Sequence, residues 1–222
     1  MPRLSAVLVL ALVGGAPLCR GAESAAALPR SSPEEQGVSS AGLLSFVREA
    51  DEQIEGLHSF MLVRHGTVVA EGWWSPYDAS SRHQLYSLTK SFTSTAVGLA
   101  VAEGKLGLDD PVLPMFPDEA PAEASDHLKA MRVRDLLTMS TGHHAEASFR
   151  DETRWVRAFL AEPVFHKPGT FFLYNTPASN TLASIVRKAV GESVLDYLRP
   201  RLFEPLGIDD PRWDRDPQGL PI

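Results

Sequence analysis

The stretch Gln84-Leu-Tyr-Ser87-Leu-Thr-Lys90-Ser-Phe-Thr-Ser-Thr-Ala-Val-Gly-Leu-Ala-Val-Ala-Glu-Gly104 decides how the rest of the chain is read. Between Arg82 and Glu103 its one formally charged residue is Lys90, set among small polar and apolar side chains whose pattern predicts a helix buried on most of its circumference. Ser87 precedes Lys90 by three residues, so a helix opening at Ser87 puts the hydroxyl and the amine on one face, a turn apart. Burial and the positive end of the helix dipole both disfavour an ammonium ion, which favours the neutral amine able to take a proton from serine. The pattern is that of a Ser/Lys nucleophile pair. The chain has only five lysines in 222 residues, which makes this placement informative.

Upstream of the stretch, Ser39 or Ser40 can cap a helix whose apolar residues Leu43, Leu44, Phe46 and Val47 repeat at helical spacing and fade near Asp51. The period then changes. Residues 59–64 and 67–71 are two short β-rich runs, and His65-Gly66 between them predicts a tight hairpin turn. Trp73 and Trp74 follow in a Pro-bearing loop, where they either line a cleft or cover the sheet. Downstream, Gly104 is placed to cap the central helix, and Pro111, Pro114 and Pro117 mark an irregular connection.

From residue 127 the pattern is helical almost to the end. Short helices are expected over 133–139, stopped by Ser140-Thr141-Gly142, and over 153–161 before Pro163. Thr176 followed by Pro177 reads as a cap and first-turn proline, with Leu182, Ile185, Val186 and Val190 forming the buried stripe up to Gly191. Another helix begins at Ser193 with Asp196 at the capping-box position, and Pro200 should kink or end it. No internal repeat is present, and no strand-like run follows residue 174.

Composition limits the function. A chain that is 44% hydrophobic has ample material for a core, and a net charge of −7 without a basic run argues against nucleic acid as a partner. Residues 1–21 read as a secretory signal: Arg3 is the positive region, 4–13 the apolar core and 14–21 the small-residue region. That run is too short to span a bilayer, so no stable membrane insertion is expected after cleavage, and a secreted or periplasmic location follows. Cys19, the single cysteine, would leave with the signal and forms no intramolecular disulfide; a lipid anchor on Cys19 is the alternative, against which Leu18 stands where a small residue is expected. Residues 22–33 are Ala/Ser/Pro-rich and predict a flexible start to the mature protein.

Ser-x-x-Lys alone is weak evidence, since 20 serines and five lysines give about 0.45 chance occurrences in this length. Its surroundings add specificity. Ser32-Pro33-Glu34-Glu-Gln-Gly37, Tyr86-Ser87-Leu-Thr-Lys90, Asp109-Asp110-Pro111, Leu136-Leu-Thr-Met-Ser140-Thr-Gly142 and Pro168-Gly169 leading to Tyr174 occur in that order. In this the chain resembles the serine beta-lactamase and penicillin-binding-protein-like superfamily, specifically the class C beta-lactamase-related esterases and amidases, including 6-aminohexanoate-dimer-hydrolase-like proteins. The resemblance covers nearly all of residues 30–222.

That resemblance implies an α/β (α+β) fold, with an antiparallel sheet flanked by helices in one domain over 34–222 and a helical subdomain from about 105. It implies a serine hydrolase acting on a small-molecule ester, amide or beta-lactam without metal or cofactor. Ser87 maps onto the acylated nucleophile, Lys90 onto the proton acceptor or relay, and Tyr174 onto the tyrosine that shuttles a proton to the leaving group. Asn175, Thr176 and Trp74 are the candidate substrate-binding residues. The chain departs from the family's Tyr-x-Asn element, because Thr176 takes the third place and Asn175 stands one earlier. The family also continues beyond Gly219 into strands bearing a Lys/His-Thr-Gly-like element and an oxyanion-hole amide, so the sequence reads as ending short of that sheet. The rival reading is accordingly an inactive fragment or pseudoenzyme of the same fold, and a third is a true beta-lactamase or a D-Ala-D-Ala carboxypeptidase or transpeptidase. His143-His144 and His166 read as loop or surface histidines rather than metal ligands.

Overall fold

The computed structural model describes residues 28–148, 153–217 and 219, so the signal-peptide reading and Cys19 lie outside the described residues. The chain divides into two compact units between Gln84 and Leu85. The helix bearing Lys90 belongs with the helices that follow it, whereas the sequence reading began the helical part of its one domain at about 105.

Among its described residues the first unit holds one α-helix and one hairpin, preceded by a short 3-10 turn at Glu34–Gln36. Helix α1 (Ser40–Gln53) is capped by Ser39, whose hydroxyl accepts from the Gly42 amide at 3.2 Å. Strands β1 (Ser59–Arg64) and β2 (Thr67–Trp73) pair antiparallel, with an irregularity between Leu62 and Val63. The turn uses positive φ at both His65 (51°) and Gly66 (75°), the geometry that matches strand twist and that His-Gly can supply. Residues 29–31, expected to be flexible, instead run beside β2. The Ser31 amide donates to the Val68 carbonyl at 3.2 Å, the Val68 amide donates to the Pro29 carbonyl at 2.8 Å, and Arg30 pairs with Glu71. Apolar Leu44, Phe46, Met61 and Val63 remain exposed.

The second unit is helical. Its core holds one face of α2 (Thr89–Ala102), through Ala96, Val97 and Ala100, with Leu182, Ile185 and Val186 of α6 (Thr176–Val190). Around these lie α3 (Asp126–Ala130), α4 (Val133–Leu137), α5 (Trp155–Ala161) and α7 (Val194–Leu198), with Phe159, Tyr197 and Phe203 among the largest fully buried side chains. Burial of these aromatic rings and branched side chains supplies most of the driving force for this unit.

The ends of α2 and α6 are set by local chemistry. Past α2, the Gly104 amide donates to Val101 O and the Lys105 amide to Ala100 O, with Gly104 at φ 69°, which closes the last turn as a Schellman motif. At α6 the cap is Asn175, one residue earlier than expected: its extended backbone lets Oδ1 accept from the Ala178 amide at 2.9 Å. Asparagine caps better than threonine, so Thr176 moves into the first turn beside Pro177. Pro200 ends α7 as expected, and residues Arg199–Phe203 follow as a wider turn in which the Glu204 amide reaches back to Arg199 O.

Candidate active site

Ser87 lies in a tight turn, Tyr86–Leu88, immediately before α2 rather than as its first residue. Tyr86 just before it has φ 46°, a left-handed conformation that costs a non-glycine residue of order 1 kcal/mol or more. The turn leaves Ser87 exposed at the helix start. One turn on, the Lys90 Nζ donates to Ser87 Oγ at 3.2 Å. The sequence spacing therefore brought the pair together as expected, but the burial did not follow. Ser91, Ser94, Thr95 and Gly98 leave one face of α2 exposed, and Lys90 is half-buried, because the residues that pack into the core fall on the opposite side.

Tyr174 arrives from 87 residues away, and its hydroxyl lies 2.5 Å from Ser87 Oγ. Its route is set by two segments that run together. The His166 amide donates to Gly142 O at 2.9 Å, the Gly169 amide to Ser140 O at 2.7 Å and the Leu173 amide to Met139 O at 2.9 Å, so the residue before Tyr174 is anchored to the end of α4. Beyond it, the Thr176 amide donates to Glu146 Oε1 at 2.7 Å. Lys90 Nζ lies 5.1 Å from the centroid of the Tyr174 ring. The phenol's pKa is held below its ordinary value, first by the hydrogen bond to Ser87 and next by the neighbouring Lys90 group, while the Glu146 carboxylate opposes the shift.

The three candidate catalytic residues thus converge in one unit, which also holds Asn175 and Thr176, whereas Trp74 lies in the other. Asn175 is 1% exposed and its oxygen is used as the α6 cap, while Nδ2 is buried with no hydrogen-bond partner among the described residues. Trp74 belongs to the first unit, where its indole N–H donates to Asp51 Oδ1 at 2.9 Å and its ring sits 6.0 Å from that of Phe60, the sheet-covering alternative. Thr176 begins α6, with its amide bound to Glu146. Glu146 was missed by sequence reasoning, for it lies 30 residues from Thr176 in no recognisable motif. A separate surface depression lined by Phe116, Glu119, Val156, Arg187 and Lys188 contains none of the candidate residues.

His143 is not a loop histidine: it is 1% exposed, bonds Thr141 Oγ1 through Nδ1 at 2.8 Å and packs 4.8 Å from the Phe159 ring. His166 is half-buried, stacked on Phe171 at 4.1 Å, whereas His144 is exposed. Among the described residues no group of three His, Cys, Asp or Glu side chains is arranged to hold a metal ion. Burial pushes the His143 pKa from 6.5 to about 4, only partly offset by the Phe159 and Glu162 carbonyls. The unfolded chain therefore binds a proton that the folded chain refuses, and stability should fall as pH drops from about 6.5 towards about 4. Thermal unfolding of the full chain across this range should show that slope, and His143→Phe should flatten it.

A match to the family model described as Beta-lactamase extends over residues 44–221, most of the chain, and the chain belongs to that family. It is 25% identical over 156 residues to the lovastatin esterase of Penicillium rubens, covering 58% of this chain and 39% of that protein. It is 26% identical over 180 residues to the D-aminopeptidase of Brucella anthropi, covering 75% and 34%. Among solved structures, the octameric penicillin-binding protein homologue from Pyrococcus abyssi superposes with a TM-score of 0.62 at 24% identity, over 77% of this chain and 44% of that one. The chain spans well under two thirds of the length of these relatives. The fold is therefore that of beta-lactamases and transpeptidases, seen here as helices with a two-stranded antiparallel sheet.

Proposed function

We propose that the chain is a serine hydrolase that cleaves an ester or amide bond through an acyl-enzyme on Ser87. The observation that carries this reading is the convergence of Lys90 Nζ at 3.2 Å and Tyr174 OH at 2.5 Å on a single serine oxygen. In the proposed reaction Ser87 Oγ attacks the substrate carbonyl carbon and its proton passes to the Lys90/Tyr174 pair. As the tetrahedral intermediate collapses, that proton goes to the departing alcohol or amine, and water later releases the acid by the reverse transfers. A tyrosine with a lowered pKa suits the shuttle, because it gives up and regains a proton more readily near neutral pH than an ordinary phenol. The Ser87 amide, at the start of α2, is the proposed donor to the oxyanion.

Relatives named as an esterase and a D-aminopeptidase support ester and amide substrates as the first to assay. The full chain should release p-nitrophenol from a short ester, and Tyr174→Phe should slow this on the order of 10²-fold. A chromogenic cephalosporin and a D-amino-acid anilide run beside it decide between esterase, beta-lactamase and aminopeptidase. Absence of turnover on all three by folded protein would overturn the hydrolase reading. A binding-only protein is the second reading, and the exposure of Ser87 and of Tyr174, at 46%, favours it, since solvent weakens the electrostatic stabilisation on which acyl transfer depends.

A further inference from the structure

We infer that Glu146 is a positioning residue for Tyr174, tying the loop after Gly142 to the first amide of α6 and so holding the phenol against Ser87. The inference rests on the serine-hydrolase reading of the site. Because the Tyr174 side chain is nearly half exposed, little packing fixes it, and its place depends on how the backbone is held on either side. On one side that anchor is the Leu173 amide on Met139 O, and on the other it is the Thr176 amide on Glu146 Oε1 at 2.7 Å.

The second anchor is well matched to its position. The first-turn amides of a helix have no partner within it, and Pro177 brings none, so Thr176 and Ala178 supply the first donors of α6. Asn175 Oδ1 takes the Ala178 amide and the Glu146 carboxylate takes that of Thr176. A carboxylate at this point gains from both the helix dipole and a charge-assisted hydrogen bond. Glu146 also acts at longer range. The groups that act on the phenol are Ser87, Lys90 of α2 and Glu146 of the loop, and the Glu146 charge works against that of Lys90. Glutamine at 146 would keep the acceptor and remove the charge; alanine would remove both.

The test uses the full-length chain as wild type, Glu146→Gln, Glu146→Ala and Tyr174→Phe. Two quantities are read: the rate of labelling by a fluorophosphonate, and the titration of Tyr174 followed by NMR of ring-labelled tyrosine, assigned by its loss in Tyr174→Phe. Glu146→Ala should label on the order of tenfold more slowly, as expected for a misplaced proton shuttle. Glu146→Gln, with its hydrogen bond kept, should stay within about threefold of wild type. Glu146→Gln should move the Tyr174 titration to lower pH, because the opposing charge is gone while the placement is kept, which a merely structural role would not do; Glu146→Ala, which also loosens the contacts with Ser87 and Lys90, should titrate above Glu146→Gln. Wild-type labelling by Glu146→Ala, or slowed labelling in both variants with the titration unmoved, overturns the inference. Should Glu146→Ala fail to fold, the titration of Glu146→Gln decides alone. Should wild type itself not label, the hydrolase reading fails, and the same titration still decides whether Glu146 acts on Tyr174.

Discussion

Alanine in place of Ser87 is expected to lower ester hydrolysis by the full chain by at least ~10³-fold, to the level left by binding and oxyanion contacts alone. The size of the effect follows from the geometry, because Lys90 and Tyr174 both direct their polar atoms at Ser87 Oγ. Ser91, the next serine along, follows Lys90 by one residue, and side chains one apart on a helix do not face each other. The fold should be untouched, since Ser87 is exposed and its hydroxyl caps nothing. Steady-state hydrolysis together with a urea unfolding curve checks both parts: lost activity with an unchanged midpoint is the predicted result. Activity within about threefold of wild type would remove Ser87 from the chemistry.

The largest expected effect on stability comes from Gly142→Ala. Gly142 has φ 86°, and a Cβ built there would lie 2.2 Å from the His166 carbonyl oxygen and 2.9 Å from Val164 Cγ1. The clash is with backbone, so relief requires the paired segments to part. Parting them would break the His166 amide bond to Gly142 O and the pairing of His143 with Val164. We expect a loss of roughly 3 kcal/mol in urea unfolding, combining strain and lost hydrogen bonds. Gly191→Ala is the control: φ is nearly the same at 84°, but nothing lies within 4 Å of its Cβ. It should cost only about 1 kcal/mol, the conformational part alone. Because the same paired segments lead to Tyr174, Gly142→Ala should also depress activity in whatever fraction remains folded, whereas Gly191→Ala should not.

These two sites show which parts of the molecule the sequence disclosed. Ser87 and Lys90 were legible because a spacing of three residues is a local property of a helix, and the caps at Ser39, Gly104 and Gly191 were legible for the same reason. Tyr174 could be placed only through the family resemblance, because its contact with Ser87 spans 87 residues and leaves no periodic trace. Glu146 had no signal at all. The burial of α2 was overestimated because its small residues suit either a packed or an open face, and periodicity cannot say which neighbours cover them. His143 was misjudged in the opposite direction: beside a glycine it reads as a loop histidine, but the pairing of 143 with 164 turns its ring onto Phe159. The pairing of residues 29–31 with β2 was hidden for a similar reason, as its Pro- and Ser-rich composition suits a linker as well as an edge.

Acylation of Ser87, with its oxygen activated by Lys90 and Tyr174, is the step we propose. Its most direct test is intact-protein mass spectrometry of the full chain after exposure to a fluorophosphonate, with the modified peptide sequenced. One adduct per chain is expected, on Ser87, absent from Ser87→Ala and formed much more slowly by Lys90→Met. Folded protein that takes up no adduct, or carries it on another residue, would contradict it.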